Sequence, residues 1–345
     1  MPTPSSLPAR LVTSALALAV ATGGGLALAG PARAAEGFAF SSRIGGADRF
    51  STAVAASRAA FPDGAGAVVV VNGYRVVDGL TASYVAGLHD APVLYTEAGD
   101  LPRATEEEVA RLGATEVYVV GGTAVVGTRV EEQLAAQGRA VTRFGGDDRF
   151  ATAAQVATSA GGGSPEKVLV ASGVKLSDAL VVGPLAYARG YPILLVDGDA
   201  VPTATTDALA RLGAPTRIAV GGTTVVSPRA YEAVDADDRL DGLDRAGTAV
   251  AVAEHAVRVE GFSAASVGLV SGSDQNTADA LVATPLAGER GFPLLFSAGE
   301  GIPAPTAEHL AAVAPQLTGQ GYVFGDTGAV PDAAVQAATL AAGGR

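Results

Sequence analysis

The sequence of 345 residues contains no cysteine. Disulfide bonds, thiolate metal ligands and a cysteine nucleophile are therefore excluded. Histidine is also scarce: His89, His255 and His309 fall at unrelated places, which favours surface or helix-end residues over catalytic groups. Because 48% of the residues are hydrophobic, the chain can fill the cores of two or three modest domains. Its stability must come from burial of apolar side chains.

Basic residues are outnumbered by acidic ones. Lys and Arg total 23 against 35 Asp and Glu, which gives a formal net charge of -12. Nonspecific binding of nucleic acid relies on a surplus of Lys and Arg, so this composition argues against it. An anionic ligand would have to be held by a local cluster of arginines.

The common catalytic motifs are missing too. No G-x-G-x-x-G follows a predicted strand, and neither G-x-S-x-G nor H-E-x-x-H occurs. The segments GGTAVVGTR and GGTTVVSPR lack the lysine of a phosphate-binding loop, so we interpret them as strand-to-helix turns. The acid pairs Asp147-Asp148 and Asp237-Asp238 offer oxygen ligands for a cation, or serve as solvated or capping acids.

Residues 1–34 are expected to be an export signal. Arg10 supplies a positive charge, an apolar run extends from Leu11 to Gly30, and Ala32-Arg33-Ala34 matches the small-x-small cleavage pattern. A permanent transmembrane anchor is the alternative. Since no later segment has the apolar length of a membrane span, we expect a mature secreted chain that begins at Ala35.

One phrase of the sequence occurs three times at nearly regular spacing. It reads RIGGADRFSTA from Arg43, RFGGDDRFATA from Arg143 and RLDGLDRAGTA from Arg239. Further matching segments follow each copy, which is the signature of a repeat architecture. We therefore divide the mature chain into three repeats, with the boundaries 35–142, 143–238 and 239–345.

Each repeat alternates between strand and helix patterns. AVVVV, from Ala67 to Val71, is typical of a strand buried on both faces. An acidic helix from Pro102 to Leu112 and the strand EVYVV follow, and AVTRF, from Ala140 to Phe144, is a short last strand. This β-α-β-α-β order favours a parallel sheet with helices on both faces. Aspartates that recur at matching positions are predicted helix N-caps: Asp48, Asp148, Asp244, Asp78, Asp178 and Asp279.

Arginines also recur in register. Arg43, Arg143 and Arg239 lie five residues before an aspartate, and Arg49, Arg149 and Arg245 lie directly after it. A guanidinium group is a planar fork of donors that suits phosphate or carboxylate, so a triplicated arginine can make a repeated anion site. The alternative is a structural pair with the neighbouring aspartate, or a salt bridge between repeats.

Together, these motifs resemble the cell wall-binding repeat 2 family of Gram-positive bacteria. The second repeat is the most similar copy, with RFGGDDRFATA, LSDALVVGPLA, YPILLV and VGGTTVV in that order. The resemblance covers essentially all of the mature chain. It implies an α/β fold of three tandem Rossmann-like β-α-β units with parallel sheets, packed about an approximate threefold axis and without dinucleotide chemistry.

The resemblance also implies a ligand site, because the P-I-L-L segment and nearby arginines hold a wall polymer in that family. The implied ligand-binding residues are Pro92, Val93, Leu94, Pro192, Ile193, Leu194, Leu195, Pro293, Leu294 and Leu295, with Arg43, Arg49, Arg143, Arg149, Arg239 and Arg245. The first repeat departs from the pattern with PVLY, and the third has Asp241 for a glycine and Ala246 for an aromatic residue. By physical criteria alone, the P-I-L-L residues are ordinary residues of a buried strand.

The sequence thus predicts a secreted, non-catalytic module that is retained at the cell wall. It would bind an anionic wall polymer or peptidoglycan noncovalently, without a cofactor, a metal, nucleic acid or an obligate protein partner. Two alternatives stay open. One is an extracellular hydrolase of wall glycan that uses the paired carboxylates as acid and base, and the other is a self-assembling surface-coat protein.

Overall fold

A short strand that is almost wholly buried lies inside the sheet of each repeat. The computed structural model describes residues 37–213 and 216–344, so the predicted export signal, 1–34, lies outside the described residues. The apolar run predicted as a buried strand forms β2, and all six of its residues are buried. The strands EVYVV and AVTRF are present with the predicted bounds.

The elements follow one another in nearly the same order in each third of the chain, although one long helix of the last third replaces two short ones and a 3-10 helix is added there. The first third contains β1 Ser42–Ile44, α1 Arg49–Ala60, β2 Ala67–Asn72, a 3-10 helix Val76–Thr81, α2 Ala82–Leu88, β3 Val93–Thr96, α3 Arg103–Leu112, β4 Glu116–Val120 and α4 Thr128–Ala136. The second contains β5 Ala140–Phe144, α5 Arg149–Ser159, β6 Lys167–Ser172, α6 Leu176–Val181, α7 Gly183–Arg189, β7 Ile193–Val196, α8 Thr203–Leu212, β8 Thr216–Val220 and α9 Pro228–Ala233. The last contains β9 Asp238–Leu240, α10 Arg245–Arg258, β10 Val267–Ser271, α11 Thr277–Arg290, β11 Leu294–Ser297, α12 Ala304–Val313, a 3-10 helix Ala314–Gln316, β12 Gly321–Phe324 and α13 Asp332–Ala341.

Three parallel sheets of four strands result, in the orders β3-β2-β4-β5, β7-β6-β8-β9 and β11-β10-β12-β1. The boundaries of the sheets differ from those of the repeats by one strand. The strand in which each repeated phrase begins belongs to the sheet of the preceding repeat. For the first phrase, that sheet belongs to the last repeat. Strand β1 pairs with β12, with Ser42 beside Tyr322 and Ile44 beside Phe324. The start and the end of the described chain are thereby joined in one sheet.

The three repeats meet about an approximate threefold axis, as the family resemblance implies. Helices α2, α7 and α11 contact one another there. Gly87, Tyr187 and Gly288 occupy equivalent positions, and a Cβ atom added to Gly288 would lie 2.6 Å from the Tyr187 ring. The axis therefore has room for one tyrosine from the three repeats, and two glycines make that room.

This close packing gives a test of the axis. We expect Gly87→Ala to lower the free energy of unfolding by about 1–3 kcal/mol, the usual range for overpacking a core, because the added methyl group overlaps the backbone of Tyr187. Gly99→Ala is the matched control, since a Cβ atom there meets nothing within 4 Å. Urea denaturation of both variants would measure the difference, and equal midpoints would contradict the packing described.

Candidate functional site

The repeated phrase lies at the carboxyl ends of the parallel strands. In the first sheet the chain leaves β2 for β3 on one side and returns to β4 on the other. The loops that follow β2 and β4, at Gly73 and Gly121, therefore diverge. Open parallel sheets bind ligands in the crevice at such a switch point. The same arrangement recurs in the other two sheets.

Three aspartates of the phrase cap helices. A carboxylate oxygen of Asp48 accepts a hydrogen bond from the N–H of Ser51 at 2.7 Å, and Asp148 and Asp244 bind the equivalent amides at 2.7 and 2.8 Å. The hydroxyl and amide of Ser51 lower the pKa of Asp48. The threonine hydroxyl of each phrase also accepts a hydrogen bond from a glycine amide of the same phrase, that of Gly46, Gly146 or Gly242. Together, these bonds account for much of the sequence of the phrase.

The other three aspartates are not the N-caps that the sequence predicts. Asp78, Asp178 and Asp279 are each the third residue of a helix. The helix starts earlier because side chains at the strand ends already bind the amides of the turn: Asn72 accepts hydrogen bonds from Tyr74 and Arg75, and Ser172 accepts them from Val174 and Lys175. The aspartates are thereby free to point toward the next repeat.

Each of these aspartates faces the arginine of the next phrase, and this defines three clefts. In the first cleft Asp78 of the first repeat faces Arg149 of the second, and in the second cleft Asp178 faces Arg245. In the third cleft Asp279 faces Arg49, which closes the ring between the last repeat and the first. The facing arginine lowers the aspartate pKa in every case, against a larger rise from burial.

The pKa values of Asp178 and Asp279 are raised to about 6, chiefly by burial, and the nearby Asp326 contributes to the rise for Asp279. Asp78 is less buried and faces both Arg149 and Arg75, and burial again raises its pKa. One carboxylate oxygen of Asp178 has no hydrogen-bond partner among the described residues. The clefts therefore contain carboxylates that bind a proton far more readily than an exposed aspartate.

The facing arginines are held by the loop after the first strand of their own sheet. The guanidinium Nη1 of Arg149 donates to the carbonyl of Gly173 at 2.7 Å, and Arg49 and Arg245 donate in the same way to Gly73 and Gly272. Arg49 also lies over the ring of Tyr74, and Arg245 pairs with Asp274. A guanidinium group has five N–H donors, so this anchorage still leaves donors for a ligand.

The other set of arginines is committed to the framework. Arg43, Arg143 and Arg239 donate to the carbonyls of Gly325, Gly121 and Gly221 at the adjacent strand end. Those glycines have φ of 107°, 129° and 104°, which other residues rarely adopt. The last helix of each repeat holds the same guanidinium through Asp332, Glu131 or the ring of Tyr231. This is a structural pairing, although the partner is not the neighbouring aspartate.

The P-I-L-L segments are buried in the protein, and their part in a ligand site stays a prediction from the resemblance. They form or directly precede the edge strands β3, β7 and β11, and helices α1, α5 and α10 pack against those strands. The residues Pro92, Val93, Leu94, Pro192, Ile193, Leu194, Leu195, Pro293, Leu294 and Leu295 are all buried. A strand that is apolar along its whole length is the usual product of burial on both faces.

Sequence reasoning missed the loop residues that complete the clefts. Arg75, Lys175 and Asn276 occupy one equivalent position, three residues before the buried aspartate, and Gly122, Gly222 and Asp326 occupy another. Their positions in the repeat were the available signal. Among the described residues, no three side chains of His, Asp or Glu gather to hold a metal ion, and no helix is long and apolar enough to cross a membrane.

The fold and the clefts define a triplicated α/β protein whose candidate sites lie between repeats. The chain belongs to the family described as cell wall binding domain 2, whose model matches residues 43–131, 143–231 and 239–335. These matches begin at the three arginines that start the phrases.

Curated relatives come from Bacillus subtilis (strain 168). The chain is 32% identical over 203 residues to the N-acetylmuramoyl-L-alanine amidase LytC, and this match covers 59% of this chain and 40% of the amidase. It is 33% identical over 167 residues to the amidase enhancer, and this match covers 48% of this chain and 23% of the amidase enhancer. The chain therefore spans less than half the length of these relatives.

Solved structures share the fold. Cwp6 from Clostridium difficile superposes with a TM-score of 0.75 at 26% identity, covering 88% of this chain and 48% of the Cwp6 chain. Cwp8 from the same organism gives a TM-score of 0.75 at 24% identity, covering 88% of this chain and 51% of the Cwp8 chain. The three-repeat α/β architecture is thus common to all three proteins.

Proposed function

We propose that this chain is a secreted, non-catalytic module that binds the cell wall noncovalently through an anionic wall polymer. Membership of the cell wall binding family supports a wall ligand. The switch-point position of the clefts supports ligand binding there. The anionic character of the ligand is inferred from the arginines.

The first cleft is the observation that carries this proposal. Arg149 faces Asp78 across the boundary between two repeats, and Arg75 of the same loop as Asp78 also lies near this carboxylate. Arg75 is exposed, and no hydrogen bond within the described residues uses its guanidinium group. Two guanidinium groups beside the carboxylates of Asp78 and Asp148 can bind a phosphate or carboxylate group of a polymer.

Three clefts on one body would strengthen weak individual contacts. The largest buried core includes residues of all three repeats, such as Val70, Ile193 and Leu281, so the clefts keep fixed positions relative to one another. A polymer that occupies one cleft has a high effective concentration at the next. Retention at the wall then needs only modest affinity at each cleft.

The paired acids of the phrase fit catalysis poorly. A glycosidase needs a carboxylic acid and a carboxylate that face the same bond. The carboxylate of Asp148 instead accepts a hydrogen bond from the amide of Ala151, and Asp48 and Asp244 accept equivalent bonds in the other repeats. A capping role explains why this aspartate is present three times, so a binding module is the better account than a hydrolase.

Charge removal in the first cleft tests the proposal. We expect Arg75→Gln and Arg149→Gln each to weaken co-sedimentation with purified Gram-positive walls at least tenfold, since a charge-assisted hydrogen bond contributes about 1.5–3 kcal/mol. Arg103→Gln is the control, because Arg103 is exposed on α3 and pairs only with Glu107. Thermal melts would verify that each variant is folded. Unchanged wall binding by both cleft variants would contradict an anion site in this cleft.

A further inference from the structure

The third cleft differs from the first at two equivalent positions. Where the first and second repeats have Arg75 and Lys175, the third has Asn276. Where those repeats have Gly122 and Gly222, the third has Asp326. The third cleft has therefore lost a basic residue and gained an acidic one.

A small polar cavity occupies this cleft. Its volume is 160 Å³, and its wall includes Asp48, Arg49, Gln275, Asp279 and Asp326. A space of this size accommodates one sugar ring, and the cleft is open to solvent beyond it. Amide and hydroxyl groups of Asn276 and Thr52 also line it, so both donors and acceptors face the space.

Asp279 is a buried side chain of the cavity wall whose carboxylate lacks a hydrogen-bond donor within the part of the chain that the structure describes. It is only 8% exposed, and it lines the cavity from the third position of α11. None of the hydrogen bonds formed among the described residues reaches its carboxylate, while a Cβ atom at Gly325 would lie 2.7 Å from Oδ2. A buried carboxylate without a donor is costly, so a ligand that supplies a hydroxyl or ammonium donor would stabilise it.

Arg49 and Arg43 lie near the cavity, both have protein partners, and of these two arginines Arg49 lines the cavity. Arg49 donates to the carbonyl of Gly73 and lies 4.7 Å from the centre of the Tyr74 ring. Arg43 donates to the main-chain carbonyls of Gly325 and Asp326 and pairs with the carboxylate of Asp332. Three carboxylates, those of Asp48, Asp279 and Asp326, thus line the space with a single guanidinium. Like charges repel, so this lining disfavours phosphate and favours hydroxyl or ammonium groups.

We infer that the third cleft binds a hydroxyl-rich sugar unit that carries no anionic group, with an ammonium-bearing sugar bound most tightly. This assignment rests on the proposed wall-binding function and gives the clefts different ligand groups. The first cleft takes the anionic group of the polymer, and the third takes a sugar unit beside it. The departures of the third repeat then change what the cleft recognises.

Sugar binding by the purified protein at neutral pH tests the inference. Saturation-transfer NMR would compare glucosamine, N-acetylglucosamine and glucose 6-phosphate. We expect glucosamine to bind most tightly and glucose 6-phosphate at least fivefold more weakly. Asp326→Asn removes the charge but keeps the oxygen that accepts hydrogen bonds from Gly328 and Ala329, and it should weaken glucosamine binding at least fivefold. Asp279→Asn should do the same.

Asp63→Asn is the control, because it removes an exposed carboxylate from the turn after α1, outside the clefts, and should leave glucosamine binding unchanged. The inference is overturned if glucose 6-phosphate binds best, if no sugar binds, or if Asp326→Asn and Asp279→Asn bind glucosamine as the parent does. Wall co-sedimentation with the same samples separates the two proposals. A parent protein that binds walls but no sugar refutes the sugar site alone, whereas one that binds no walls refutes the proposed function.

Discussion

Deletion of residues 37–46 is expected to abolish the cooperative folding of the third sheet. This segment contains β1, which comes from the start of the described chain and completes that sheet against β12. It buries Phe38, Phe40 and Ile44. At about 2 kcal/mol for each apolar side chain, the loss is about 6 kcal/mol, comparable with the 5–15 kcal/mol that stabilises a typical domain.

Other consequences add to this loss. Without β1 the hydrogen-bonding edge of β12 is exposed, and the carbonyls of Gly325 and Val330 lose the guanidinium of Arg43. Circular dichroism melts and limited proteolysis would compare the deletion with a chain that lacks only residues 1–36. We expect early cleavage within β10–β12 in the deletion alone. An unchanged melting temperature would contradict the closure of the third sheet by β1.

Asp178→Asn and Asp279→Asn are expected to stabilise the protein above pH 7 and to have no effect near pH 4. Both folded-state pKa values are about 6, against an ordinary value of 3.8. The folded state therefore holds the proton more tightly than the unfolded state does. The stability linked to each carboxyl is fully present below about pH 4 and is lost as the pH rises through 6.

The size of this effect follows from the pKa difference. A difference of about two units corresponds to at most about 3 kcal/mol for each carboxyl at high pH. Asparagine removes the buried charge and so recovers that free energy. Urea denaturation at pH 4 and pH 8 would measure it, with Asp78→Asn as the weaker case because Asp78 is less buried. A stabilisation that is the same at both pH values, or absent at both, would contradict buried, ionised carboxylates in the clefts.

The repetition of the sequence predicts most of the fold. Continuous apolar runs such as AVVVV identify the buried strands, and the aspartate before each phrase helix identifies its start. These are local signals, because strand burial and helix capping depend on residues that are close in the chain. The helix from Pro102 to Leu112 is of the same kind, and α3 begins one residue later with Pro102 at its N-cap.

The clefts were beyond such reasoning, because they depend on contacts between repeats. No pattern within one repeat indicates that Asp178 faces Arg245 or that β1 pairs with β12. The resemblance places the ligand at Leu194 and its neighbours, and this stays a prediction; Leu194 is wholly buried, and an apolar strand segment can serve packing alone. The two arginine sets look alike in sequence, and only their partners separate the framework set from the cleft set.

The central claim is that the clefts hold the module to an anionic polymer of the wall. Its most direct test is co-sedimentation of the protein with purified walls, before and after chemical removal of their anionic polymers. The account predicts saturable binding to intact walls that is lost when the polymers are removed. Equal binding to the stripped walls would contradict it, because the ligand would then be peptidoglycan.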